Sequence, residues 1–318
     1  MDFNHKPVLL EECLDGLNIK PDGTFLDGTI GGAGHAVRIL ERLNKHGRLI
    51  GIDQDGNAVR AAAERLAALG KRTEFQVVHS NFLNVEKICN DLKIEQVDGI
   101  LLDLGVSSHQ FDVGERGFSY QQNVGLDMRM DQTAALTAED IVNDFEEDEL
   151  IRIIREYGEE KWAVRIGKFI VERRSNGRIK TTGELVDIIK AAIPKSARRD
   201  GPHPAKRTFQ AIRIAVNDEL NVLKNVIGKC INVLAVGGRL CIISFHSLED
   251  RIVKNEFREY AVDCICPKEY PVCMCNHHAS AKIITKKPIL PTEQEIEENP
   301  RARSAKLRIL EKTTNICI

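Results

Sequence analysis

The chain has 318 residues, 42% of them hydrophobic and 29% charged, the balance of an ordinary soluble globular protein. At roughly 150 residues per domain this length predicts about two domains, and the composition excludes global disorder, collagen-like repeats and coiled-coil rods. Lys and Arg number 45 against 47 Asp and Glu, a net charge of −2, so no whole-chain basic signature for nucleic acid exists and only local patches could supply one. Nine cysteines, an odd number, follow a beginning without the apolar run of a signal peptide. The longest apolar stretches, such as GILLDLGV, are far too short to span a bilayer. The expected location is the cytoplasm, with thiols reduced.

The first hundred residues alternate short apolar runs with helical patterns. TFLDG (24–28) reads as a buried strand ending in a glycine turn, and residues 35–45 as a helix with Val37, Leu40 and Leu43 on one face. RLIGID (48–53) is a second strand, followed by an alanine-rich helix over 58–69 closed by Gly70. EFQVVHS (74–80) and GILLDLG (99–105) are the third and fourth strands. Strand and helix alternating in this way predict a parallel sheet covered on both faces. From about residue 112 helices take over: Thr137 with Asp140 and Thr181 with Glu184 have capping-box spacing, and Leu185, Ile188, Ile189 and Ala192 form an apolar face before Pro194. A long helical pattern starts near Thr208 and runs to Leu234, where Gly237-Gly238 reads as its stop. RLCIISF (239–245) resumes the strands, residues 291–300 read as an acidic loop between prolines, and KLRILEK (306–312) as a closing strand. The predicted fold is α/β: a discontinuous Rossmann-like domain over 1–111 and 216–318, with a helical insertion at 112–215.

Five strings could carry chemistry. DGTIGGAGH (27–35) lies between the first strand and a helix, where glycines admit a ligand close to the backbone and the helix start offers free N–H donors. Asp53 ends the second strand, placed to accept both hydroxyls of an adenosine ribose. The glycine spacing departs from GxGxxG, which favours a smaller adenosine ligand such as S-adenosylmethionine over a dinucleotide; the bland alternative is a tight turn without ligand. DLGVSSHQ (103–110) follows the fourth strand. Asp103 would sit beside the glycine loop, or simply cap the next turn, while Phe82 would stack on an adenine face or serve as a rim aromatic. SFHSLEDR (244–251) puts His246 at another strand end, as a general base, an RNA contact or a structural histidine. KSARRDGPHPAKR (195–207) is basic, joined by Arg173, Arg174, Arg178 and Lys180 upstream and by residues 301–308 near the end. These clusters would neutralise RNA phosphates, or are solvated surface. Finally, Cys264, Cys266, Cys273 and Cys275 are close enough in sequence to hold zinc tetrahedrally, although C-x-C is tighter than the usual C-x2-C. A reduced loop is the alternative, and no metal is assigned.

Taken together, DGTIGGAGH, DLGVSSHQ, ERGFS (115–119), LDMRMD (126–131), YGEE (157–160), HPAKRTFQAIR (203–213) and ISFHSLEDRIVK (243–254) closely resemble the bacterial small-subunit ribosomal RNA cytosine-N4 methyltransferase family, also called methyltransferase H or MraW. The likeness runs from HKPVLL (5–10) to NPRAR (299–303), nearly the whole chain. It implies an S-adenosylmethionine-dependent fold acting on a cytosine in the decoding region of 16S ribosomal RNA within the small subunit. Carried across by motif, the cofactor contacts fall on Ala33, Gly34, His35, Asp53, Phe82, Asp103 and Gln110. Many members have an arginine in the first loop, so Ala33 here would contribute backbone contacts alone.

For amine methylation the protein must chiefly align nitrogen, methyl carbon and sulfur, with an acceptor for the amine proton. Asp103 is the first candidate and His246 the second. No catalytic cysteine is required, and the target base would be splayed from its stack. An NAD-dependent oxidoreductase and a non-catalytic RNA-binding assembly factor are the rival readings. A homodimer is an option that the residues leave open.

Overall fold

The computed structural model describes residues 7–105, 116–198, 203–267, 269–275 and 277–314. Two compact units divide the chain, Met1–Gly105 with Leu220–Ile318 and, separately, Val106–Glu219.

The first unit holds a seven-stranded sheet: β1 Thr24–Asp27, β2 Arg48–Asp53, β3 Glu74–His79, β4 Val97–Asp103, β5 Leu234–Ser244, β6 Ala281–Ile283 and β7 Lys306–Lys312. The order across the sheet is β3-β2-β1-β4-β5-β7-β6. The first five strands are mutually parallel, and β7 runs antiparallel between β5 and β6. This is a Rossmann-like sheet, as the sequence predicts. It is doubly wound, because successive strand residues feed opposite layers. Phe25, Leu49, Leu101 and Cys241 pack with helices α1 (Leu10–Leu17), α2 (Gly34–Arg42) and α3 (Gly56–Ala67). Their neighbours Leu26, Ile50, Leu102 and Ile242 pack on the other side with α4 (Val85–Asp91).

The second unit has its own core. It contains α5 (Ala138–Asp144), α6 (Glu147–Glu156), α7 (Ala163–Arg174), α8 (Thr182–Ala192) and α9 (Lys206–Asn217), packed around Leu150, Ile154, Ile166, Ile170, Ile189 and Ile212. Thr137 and Thr181 each form a complete capping box with Asp140 and Glu184, as their spacing predicts. Several family-like strings turn out to be packing devices here. In YGEE, a Cβ on Gly158 would lie 2.6 Å from the Ile154 carbonyl oxygen and 2.7 Å from that of Arg207, so only glycine admits this approach. In LDMRMD, Arg129 pairs with Asp127 through two side-chain nitrogens, at 3.0 and 2.7 Å.

Three sequence expectations are corrected. The helix expected from Thr208 to Leu234 is two helices, α9 and α10 (Glu219–Val233), broken at Asp218, whose backbone is left-handed (φ 49°). Gly237-Gly238 does not stop a helix. The glycines lie inside β5, which begins at Leu234, where the register with β4 shifts between the pairs Val97–Leu234 and Gly99–Arg239, and Gly237 takes φ 83° to form the bulge. The acidic 291–300 segment is not all loop, because Thr292 accepts the Glu295 N–H and starts α12 (Glu293–Glu298). The remaining helix, α11 (Ser247–Tyr260), follows β5. Among the described residues no helix is long and apolar enough to cross a membrane.

Candidate cofactor site at the strand tips

The glycine loop after β1 is sewn between its two neighbouring strands. Gly28 N–H donates to the Leu101 oxygen of β4 (2.9 Å), and Ile30 N–H to the Ile52 oxygen of β2 (3.0 Å). The close fit is steric: a Cβ on Gly51 would sit 2.1 Å from Ile30 Cδ1, and one on Gly28 2.4 Å from Leu102 Cδ2. Gly31 and Ala33 are left-handed, φ 48° and 60°. For Ala33 that conformation costs roughly 1 kcal/mol, and it is held by complete burial of the methyl group in the core under α2. Ala33 is the N-cap of α2 and gives no side-chain cap, so no side chain at that position competes for the opening N–H groups of the helix. Arg65 on α3 clamps the loop from outside, donating to the Gly32 oxygen at 2.8 Å.

Three carboxyl groups stand at the ends of three adjacent strands. Asp53 at the tip of β2 accepts the Gly31 N–H on Oδ2 and the Asp55 N–H on Oδ1, both at 2.9 Å. Burial nonetheless raises its pKa to about 6. Asp27 ends β1, buried and accepting the Thr29 N–H at 3.1 Å, and burial pushes it up to about 7. Asp103 ends β4. Its amide donates to Thr29 Oγ1 at 2.6 Å, and burial, with Asp27 and Glu249 adding repulsion, pushes its carboxyl up to about 8. The side chain is 27% exposed, yet its Oδ1 is shut from solvent and has no hydrogen-bond partner among the described residues. A buried acceptor of this kind costs roughly 1–3 kcal/mol until something donates to it. The cluster therefore favours a ligand rich in hydroxyl and N–H donors and carrying positive charge.

His35 opens the first turn of α2 and is buried. Its Nε2 is 3.0 Å from the Val8 oxygen; a carbonyl only accepts, so Nε2 carries the hydrogen. Nδ1 faces Asp103 Oδ2 at 3.8 Å. Gly34 packs under Pro7, where a Cβ would come within 2.6 Å of the proline ring. Phe82 begins a short 3-10 turn, Phe82–Asn84, after β3. Its Cβ lies 3.3 Å from where a Gly28 Cβ would be, so the base of this side chain borders the loop. Ser80 N–H to the Asp53 oxygen (2.9 Å) and Asn81 Nδ2 to Gln54 Oε1 (2.9 Å) tie this turn to the β2 tip. Gln110 lies outside the described residues.

His246 follows β5. It is the N-cap of α11: its Nδ1 accepts the Glu249 N–H at 3.4 Å while Glu249 Oε2 accepts the Phe245 and His246 N–H groups. Nε2 stands 3.1 Å from Glu249 Oε1, at ion-pair distance though off the hydrogen-bond direction. The imidazole thus caps the helix start through Nδ1, while Nε2 makes no hydrogen bond among the described residues. The basic clusters are likewise partly spent. Arg178 pairs with Glu139, Asp140 and Asp144, Arg173 with Glu184, and Arg174 caps the Val142 and Phe145 carbonyls. Near the C-terminus Lys306 and Arg308 both bind Asp250. Sequence reasoning missed Asp27, Thr29, Arg65 and the Pro7–Leu9 segment. Asp27 was visible as a second acid inside the glycine string, but nothing in the spacing signals Arg65, 33 residues beyond Gly32.

A model of the MraW methylase family matches residues 2–313. The chain is 57% identical over 312 residues to a ribosomal RNA small subunit methyltransferase H of Clostridioides difficile strain 630, covering 98% of this chain and 100% of that one. It is 59% identical over 312 residues to the protein of the same name from Acetivibrio thermocellus, with the same coverage.

Proposed function

The chain belongs to the MraW methylase family, and from that premise we propose that it methylates the exocyclic N4 amine of a cytosine in the decoding region of 16S ribosomal RNA, within small ribosomal subunits in the cytoplasm, using S-adenosylmethionine. The relatives, ribosomal RNA small subunit methyltransferases by name, support the RNA class. The observation that carries the cofactor is Asp103 Oδ1, a buried acceptor without a partner among the described residues, at the end of a sheet whose neighbouring tips are also acidic.

When bound, S-adenosylmethionine supplies a methyl group activated by a sulfonium. The chain's own residues have separable tasks. Asp53, already oriented by the Gly31 and Asp55 amides, accepts the ribose hydroxyls with its remaining lone pairs. Phe82 offers a ring face to the adenine beside Gly28. The Gly34 and His35 amides, at the uncapped start of α2, hold a carboxylate, with Ala33 serving through its backbone. Asp103 faces the positive end of the ligand and accepts a hydrogen bond from the cytosine amine. That contact draws the nitrogen lone pair out of conjugation and then takes the proton that N4 must lose. Gln110 completes the set by motif.

We assign substrate RNA to the helical unit and to the basic 195–207 stretch in particular, since the upstream arginines are engaged internally. Lys195 and Arg198 sit in a 3-10 turn there, and Arg198 Nε is buried without a partner among the described residues. Charge reversal of Arg198 together with Arg199 (outside the described residues) is expected to weaken small-subunit binding and to lower the slope of log affinity against log salt by about two. Filter binding at several salt concentrations measures it, and an unchanged slope removes this stretch from the interface. Nucleotide-resolved mass mapping of small-subunit RNA from cells with and without the protein tests the reaction. Loss of one methyl on a cytosine N4 is expected. Subunit binding without methyl transfer would instead support an assembly factor.

A further inference from the structure

The loop between α11 and β6 is built inside out. Both of its ends are fastened to the end of α11: His277 Nε2 lies 2.9 Å from the Glu259 oxygen, Ala279 N–H donates to Asp263 Oδ1 at 3.1 Å, and Ser280 N–H to the Tyr260 oxygen at 2.9 Å. Between these anchors its large apolar side chains point to solvent. Ile265 is 50% exposed, Tyr270 55%, Val272 68% and Met274 75%. Among the described residues, then, no large apolar side chain of 264–275 is buried. Four sulfurs converge instead. Those of Cys264, Cys266, Cys273 and Cys275 all lie within 4.8 Å of one another, with Cys273–Cys275 at 3.6 Å and Cys264–Cys275 at 3.8 Å.

Those separations fit one chemistry. A zinc–sulfur bond of about 2.3 Å in a regular tetrahedron puts the sulfurs about 3.8 Å apart, whereas a disulfide needs about 2.05 Å. The spacing pattern accounts for the display of apolar groups. In each C-x-C arm both thiols turn to the shared centre, so the residue between them, Ile265 or Met274, is driven outward. Met274 N–H donates to Cys266 Sγ at 3.3 Å, the kind of amide contact that supports a metal-bound thiolate. The other four described cysteines are buried in the two sheet cores, Cys89 and Cys230 in one and Cys13 and Cys241 in the other.

We infer that Cys264, Cys266, Cys273 and Cys275 bind one zinc ion as a closed structural site that holds this loop in shape. Four protein thiolates leave no open position for a reacting ligand, so the site stabilises the loop and takes no part in methyl transfer. Elemental analysis of the full chain, purified without added metal under reducing conditions, is expected to find about one zinc per molecule. Cys264→Ser with Cys275→Ser is expected to remove it while the circular-dichroism spectrum is kept. Should that variant fail to fold, cobalt exchange into the wild-type chain decides instead: a four-thiolate tetrahedral site gives intense visible d–d bands and near-ultraviolet sulfur-to-metal charge transfer. A wild-type chain that takes up neither metal, zinc retained by the folded variant, or a native disulfide among these thiols would each overturn the site.

Discussion

Replacing Asp53 with alanine weakens S-adenosylmethionine binding about a hundredfold, with the sheet intact. Charge-assisted hydrogen bonds contribute about 1.5–3 kcal/mol each, and the Asp53 carboxylate has lone pairs left after its amides at Gly31 and Asp55 are served. The same substitution orphans those two N–H groups, so the melting temperature falls as well. The affinity must be read by calorimetry well below that temperature. Asp53→Asn is isosteric and keeps one carbonyl acceptor, and it falls between wild type and alanine. An affinity for Asp53→Ala equal to wild type would take this residue out of the site.

The second large effect is a pH dependence that distinguishes the methyl donor from its product. With no ligand bound, Asp53, Asp27 and Asp103 have pKa values pushed up to about 6, 7 and 8. Each binds its proton more tightly folded than unfolded, where carboxyls titrate near 3.8. Their contribution to stability is thus fully present below about pH 4 and is lost as pH rises through about 6 to about 8. A cationic ligand reverses the preference, since it pairs with the ionised forms and expels protons. S-adenosylmethionine carries the sulfonium; S-adenosylhomocysteine does not. Affinity for the former is expected to rise about tenfold relative to the latter between about pH 6 and about pH 8. Calorimetry in buffers of different ionisation enthalpy counts the released protons. Parallel pH profiles for the two ligands would mean that the carboxyl cluster does not face the charged sulfur.

Much of the fold was legible because the signals were local. Five parallel strands announced themselves as short apolar runs, three of them ending in Asp, and Thr137 and Thr181 as hydroxyls three residues before an acid. Failures came where one residue's backbone choice overrode a pattern. Asp218 in the left-handed region splits a continuous apolar stripe, and the β5 bulge disguises Gly237-Gly238 as a helix stop. Short β6, a three-residue strand, carries no periodicity to read. At the site, the acids and the glycine loop were visible in sequence, but their common environment was not. That Asp27, Asp53 and Asp103 share one desolvated patch depends on the strand order β2-β1-β4, a long-range fact. His246 shows the converse: its spacing to Glu249 marks a capping box as clearly as a threonine would.

The position of β7 matters to a chain still being synthesised. It is laid between β5 and β6, and β6 pairs with β7 alone among the described strands. Until translation has passed Lys312, the outer side of β5 shows unclaimed amides and carbonyls, and β6 has no place in the sheet. A polypeptide stalled before that point is therefore left sticky along the very strand that leads into the His246 cap. Completion of the last strand is what renders the molecule safe from pairing with its neighbours.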